Sequence, residues 1–155
     1  RMKTALYVAT VARTYRKALD DYAADPKRYE ANMDWYLDQI SNCTYRQFTT
    51  GFFYGKPDHE SQIYDSNTYV KEYTYLGIIG DVAEDGRIHI EQRNKFTVGE
   101  QIEIMKPNGD NIVTTVLSIR NDDGEEMESA PHSKQSLWIL LDRQGAQYDL
   151  LRRKE

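Results

Sequence analysis

The spacing of apolar residues changes period once along this chain, from helical to alternating, and that change fixes the order of its architecture. From Thr4 to Ala24, Val8, Val11, Tyr15, Leu19 and Tyr22 recur at steps of three and four, one stripe of an amphipathic helix. Asp25-Pro26 then predicts a second start, since aspartate caps free N–H groups and proline suits the first helical position. Tyr29, Met33, Tyr36, Leu37 and Ile40 carry the helical period on to a stop at Ser41-Asn42. Two amphipathic helices so closely joined form a hairpin that covers its own stripes only in part. Apolar surface is left for another partner. Arg16 with Asp20 and Lys17 with Asp21 fall one turn apart on the opposite side, where solvated pairs add only about 0.2–0.5 kcal/mol.

Beyond residue 67 the period is two. Tyr69, Lys71, Tyr73 and Tyr75 alternate with Val70, Glu72 and Thr74, and Ile88, Ile90, Ile102 and Ile104 follow the same rule. Val113, Thr115, Leu117 and Ile119 share one face of a longer predicted strand, and Leu137 to Leu141 reads as a buried one. Glycine-bearing turns at Asp85-Gly86, Asn108-Gly109, Asp123-Gly124 and Gln144-Gly145 separate them. The expected fold is mainly β with α: a helical hairpin over residues 1–66, then a small antiparallel β-barrel of about six or seven strands over 67–155. Closure would remove exposed sheet edges.

Charge follows the same division. Residues 1–56 hold nine Lys/Arg against six Asp/Glu, whereas residues 57–155 hold eleven against nineteen. Eleven of the twelve tyrosines lie at or before Tyr75. An acidic second half repels phosphates, so contact with nucleic acid would fall to the first half, although its basic residues also suit a solvated helix face. No apolar run approaches the roughly 18 residues of a membrane span, and nothing reads as a signal peptide, so the expected partners include no membrane and the expected location is the cytoplasm.

Chemistry is sparse. His59, His89 and His132 lack metal-ligand spacing, so no metal site and no catalytic residue is assigned. Cys43 is the single thiol, which excludes an internal disulfide or a thiolate cluster from this chain alone. It reads as a small buried hydrophobe, or as one ligand of a site completed by another segment. The stretch from Cys43 to Lys56 is aromatic-rich and glycine-punctuated. Its Tyr45, Arg46, Phe52 and Lys56 are the candidate substrate-binding residues, since aromatics beside cations suit a base or an extended peptide. The alternative is that these aromatics pin a packed loop between helices and barrel.

Arg1-Met2-Lys3-Thr4-Ala5-Leu6-Tyr7-Val8-Ala9, Tyr45-Arg46 with Thr49-Thr50-Gly51-Phe52, Glu91-Gln92-Arg93-Asn94-Lys95-Phe96, Ala130-Pro131-His132 and Tyr148-Asp149-Leu150-Leu151-Arg152 together resemble the C-terminal region of the collagenase-like peptidase family U32. The resemblance runs in order over nearly the whole chain. It implies that the opening helix ends a large α/β barrel preceding Arg1, and that the small β-barrel is similar to domain two of elongation factor Tu. It further implies a parent that is either a peptidase of unassigned mechanism or an RNA-modification enzyme hydroxylating tRNA or ribosomal RNA with a cysteine-bound iron–sulfur cluster. On this resemblance the chain is expected to be a non-catalytic accessory region that positions substrate for the peptidase. The alternative makes it part of the RNA hydroxylase, contributing to RNA binding or to a composite active site. Its expected partners are the N-terminal α/β barrel, a peptide or tRNA substrate, and a second copy through the exposed helix faces. No cofactor is expected within the chain itself.

Overall fold

A computed structural model describes residues 3–43, 51–56 and 73–155. Helix α1 (Ala5–Ala24) begins at Thr4, whose hydroxyl accepts from the Tyr7 N–H. Asp25 is extended and caps α2 (Pro26–Ala31), accepting from the Lys27 N–H at 3.0 Å. The second helix, expected to run unbroken to Ile40, is interrupted at Asn32 and resumes as α3 (Met33–Ser41). Asn32 leaves helical geometry there, with φ −96° and ψ 7°. The Asn32 amide reaches back across the hairpin to donate to Asp21 Oδ2 at 3.0 Å.

Asp21 is the hub of the helices, and it is not the solvated partner its spacing suggested. It is 3% exposed, accepts from the Tyr36 hydroxyl at 2.6 Å, and pairs with Lys17 at 3.0 Å and Arg28 at 2.9 Å. The Tyr36 hydrogen bond is the leading cause that lowers its carboxyl from 3.8 to about 2; Lys17 and Asn32 reinforce it, and desolvation opposes it. Because the folded value lies below the unfolded one, this stabilisation is complete above about pH 4 and is lost as pH falls through 2. Asp21→Asn should therefore flatten the acid limb of a helicity titration between those values. It should also cost about 1–3 kcal/mol at neutral pH, read from urea midpoints.

Nine strands follow among the described residues: β1 (Tyr73–Val82), β2 (Ile88–Glu91), β3 (Phe96–Thr97), β4 (Gln101–Met105), β5 (Asn111–Asn121), β6 (Glu126–Met127), β7 (Ser129–Ala130), β8 (Ser136–Leu141) and β9 (Leu150–Lys154). The order β4-β9-β1-β2-β8-β5 is all antiparallel and closes on itself through β4–β5, a barrel-like ring, with β6 beside β5 and β3 paired to β7. Leu76, Ile79, Ile90, Ile104, Leu137 and Leu151 fill its interior. The strand predicted from Tyr69 lies outside the described residues before Tyr73 and runs on to Val82.

The face assigned to β5 is corrected. Val113 and Leu117 stand outside, while Thr114, Val116 and Ile119 point in. A register shift between Val116 and Ser118 adds a residue, so the inward set changes parity along the strand. Gly145 lets a turn pass against β1, since a Cβ there would collide with Ile79 Cδ1.

Candidate functional site

The helices meet the ring along α1, through a face that is half apolar and half polar. Leu6 and Ala9 pack on Met105, Leu150, Tyr73 and Tyr75, covering the outside of β4, β9 and β1. Further along, Thr10 donates to Met105 Sδ at 3.5 Å, and Arg13 enters the junction, 5% exposed. Its Nη1 donates to the carbonyls of Lys106 at 3.1 Å and Asp110 at 3.4 Å, and its Nη2 to Gln39 Oε1 of α3. One guanidinium thus ties α1, α3 and the β4–β5 turn. Burial, with the charge of Arg152 nearby, pulls Arg13 down to about 10, so it stays protonated at neutral pH. The turn it grips needs Gly109, which has φ +103° and whose Cβ would lie 2.9 Å from Lys17 Cδ and 3.2 Å from Trp35.

A second buried cation completes the junction. Arg152 of β9 is 1% exposed, pairs with Glu103 of β4 at 2.9 Å, and lies 3.8 Å over the Tyr73 ring. Beneath the same turn, Lys106 pairs with the buried Asp149 at 2.7 Å.

The apolar stripe of α1 points the other way. Val8, Tyr15, Leu19 and Tyr22 are between 57% and 64% exposed, and Leu37 of α3 is similarly open. A shallow hollow of about 160 Å³ between Tyr15, Tyr29, Met33 and Ile40 joins the two helices into one apolar surface. Helix α1 therefore buries its polar side and presents its greasy side to solvent.

Of the four candidate binding residues, Phe52 and Lys56 are exposed; Tyr45 and Arg46 lie outside the described residues. Phe52, Phe53 and Tyr54 are 78–83% exposed, so along residues 51–56 the packed-loop expectation fails. Phe53 and Tyr54 touch only edge to face, their centroids 4.9 Å apart. Cys43 is buried, as expected of a small hydrophobe, and burial pushes its thiol up. His89 bonds Ser136 Oγ at 2.7 Å beside Trp138, His132 is exposed, and His59 lies outside the described residues. An iron–sulfur cluster does not fit these residues: cluster ligation takes several thiolates, and the one thiol here is buried and protonated. Among the described residues no three His, Cys, Asp or Glu side chains gather to hold a metal ion. Nor is any described helix long and apolar enough to cross a membrane.

Sequence reasoning missed Arg13 and Arg152 as organising residues. Their partners are backbone carbonyls and residues far along the chain, which local spacing does not reveal.

Residues 71–152 match the Peptidase family U32 C-terminal domain, and residues 1–63 match Peptidase family U32. Tested against characterised proteins, the chain is 32% identical over 154 residues to tRNA hydroxylation protein P1 of Bacillus subtilis strain 168, covering 99% of this chain and 36% of that protein. It is also 32% identical over 146 residues to tRNA hydroxylation protein P of Escherichia coli strain K12, covering 90% of this chain and 30% of that one. The chain thus spans about a third of the length of these relatives. Among solved structures, the C-terminal domain of a Geobacillus thermoleovorans U32 protein aligns with a TM-score of 0.47 at 27% identity, covering 52% of this chain and 91% of that one. With its alternating strands, its helical lead and the two consecutive matches, this chain belongs to peptidase family U32.

Proposed function

We propose that this chain is the accessory, substrate-handling region of a tRNA-hydroxylating protein, with its helices seated on the remainder of that protein. The observation that carries the accessory role is the reversed helix: α1 buries Thr10, Arg13, Thr14 and Asp21 within this chain and turns Val8, Tyr15, Leu19 and Tyr22 outward. A polypeptide about three times longer in the relatives supplies the occupant for that face. The names of the relatives favour tRNA modification over the peptidase reading. The redox chemistry, and any cluster that performs it, belongs to the part of the parent beyond this chain.

Substrate handling falls to the exposed Phe52, Phe53, Tyr54 and Lys56, joined in sequence to Tyr45 and Arg46. Aromatic rings stack on unpaired bases at about 1–3 kcal/mol each, and cations neutralise phosphates. The test is steady-state hydroxylation of tRNA by the full-length protein carrying Phe52→Ala, Phe53→Ala and Tyr54→Ala together. The expected result is a rise in KM for tRNA of about tenfold or more, with kcat within about twofold. A fall in kcat at unchanged KM would instead place the loop in a composite active site, and unchanged kinetics would remove it from substrate handling.

A further inference from the structure

We propose that a cavity of about 160 Å³, between the start of α1, the end of α3 and β1, receives one unpaired nucleobase. This rests on the tRNA reading above and names a place where the substrate is held. The floor is Leu6, Asn42 and Cys43, all buried. Tyr7, Tyr73 and Tyr75 form the walls, and Asn94 stands at the rim.

Size decides first. The volume equals about five water molecules and falls well below the roughly 300–1,000 Å³ of a site for a larger organic ligand. It admits a single ring, leaving sugar and phosphate outside.

Chemistry decides next. No described residue lining the cavity carries a formal charge at neutral pH, and the cations beside its walls, Arg152 at Tyr73 and Arg93 at Tyr75, are already paired with Glu103 and Glu91, so a phosphate would be desolvated there without a free counter-charge. Burial pushes the phenols of Tyr73 and Tyr75 up, keeping both neutral. Phenol rings and Leu6 suit the faces of a planar heterocycle, while Asn42 and Asn94, each spending one amide hydrogen on Asp38 Oδ2 at 3.3 Å and on the Tyr75 carbonyl at 2.7 Å, keep the second hydrogen and the amide oxygen for its polar edge. A plain phenyl group would use the walls and leave these remaining amide groups unused. Outside the walls, the Lys3 ammonium lies 4.5 Å over the Tyr7 ring.

The experiment measures binding of a short oligouridylate, and of an abasic oligomer of the same length, to the full-length protein. The oligouridylate should bind about tenfold tighter. Tyr7→Ala should abolish that difference, Tyr7→Phe should keep it within about twofold, and the exposed Asn94→Ala should reduce it several-fold. Equal binding of the two oligomers to the wild-type protein overturns the proposal, as does base discrimination that survives both Tyr7→Ala and Asn94→Ala. Competition by a blocked phenylalanine amide without competition by oligouridylate also overturns it, marking a peptide pocket. Hydroxylation of tRNA is followed in parallel. Turnover that persists while wild-type base discrimination is absent sinks only the pocket, whereas absence of tRNA binding even at low salt sinks the tRNA reading.

Discussion

Arg13→Ala should destabilise the chain by about 3 kcal/mol, because three acceptors on two elements, α3 and the β4–β5 turn, lose a charged donor at once. The Lys106 and Asp110 carbonyls and Gln39 Oε1 face the helix–ring junction, where water replaces a lost partner poorly. For a chain of this length that free energy lowers the melting temperature by about 6–12 °C. Arg13→Met separates packing from hydrogen bonding, since it keeps most of the stem and removes every donor. It should recover less than half of the loss. Both variants should loosen α1 from the β4–β5 turn, read as faster amide exchange in Leu6 to Thr14 while the ring interior stays protected. A melting temperature within about 1 °C of wild type would show that the junction does not depend on this guanidinium.

The second large effect is expected in the full-length protein from Tyr15→Asp combined with Leu19→Asp. Both side chains are about three-fifths exposed in this chain, so the pair should change its own stability by no more than about 0.5 kcal/mol per site. Seated against the rest of the parent, each side chain contributes about 1.5–3 kcal/mol of burial, and an aspartate there adds a desolvated charge. The full-length variant should then lose several kcal/mol of interdomain stability and, on the function proposed above, most of its tRNA hydroxylation, although neither residue touches the proposed RNA-binding groups. Substituting Arg16 and Asp20 together is the control: the pair is solvent-exposed and lies beside the apolar stripe. It should change little in either setting.

The change of period was readable because it depends only on residue type and spacing, and it correctly ordered helices before strands. Direction was harder to read. Hydropathy assigns Arg13 and Asp21 to solvent, yet each is buried by partners from distant segments: carbonyls of the β4–β5 turn for the first, Tyr36 and Asn32 for the second. The stripe of α1 was therefore found while the contents of its buried face were not. Strand β9 escaped notice for a related reason. Leu150 and Leu151 are adjacent, and both are buried because α1 covers the outside of the ring there: Leu151 enters the ring interior and Leu150 meets Leu6. Alternation fails wherever both faces of a strand are covered. The bulge in β5 and the break at Asn32 are single-residue events, and a periodic pattern averages over them. Of the candidate binding residues, composition picked out the aromatic loop. The cavity at Tyr7 and Tyr73 joins residues too far apart in sequence for any spacing rule.

On the function proposed above, the outward face of α1 is an interface with the rest of the parent polypeptide. Carbene footprinting of Val8, Tyr15, Leu19 and Tyr22, in this chain alone and in the full-length protein, measures it directly. The expected result is heavy labelling of all four in the isolated chain at every concentration and at least a fivefold drop in the full-length protein. Equal labelling in the two settings would contradict it, and so would protection of the isolated chain that grows with its concentration, which would assign the face to a second copy.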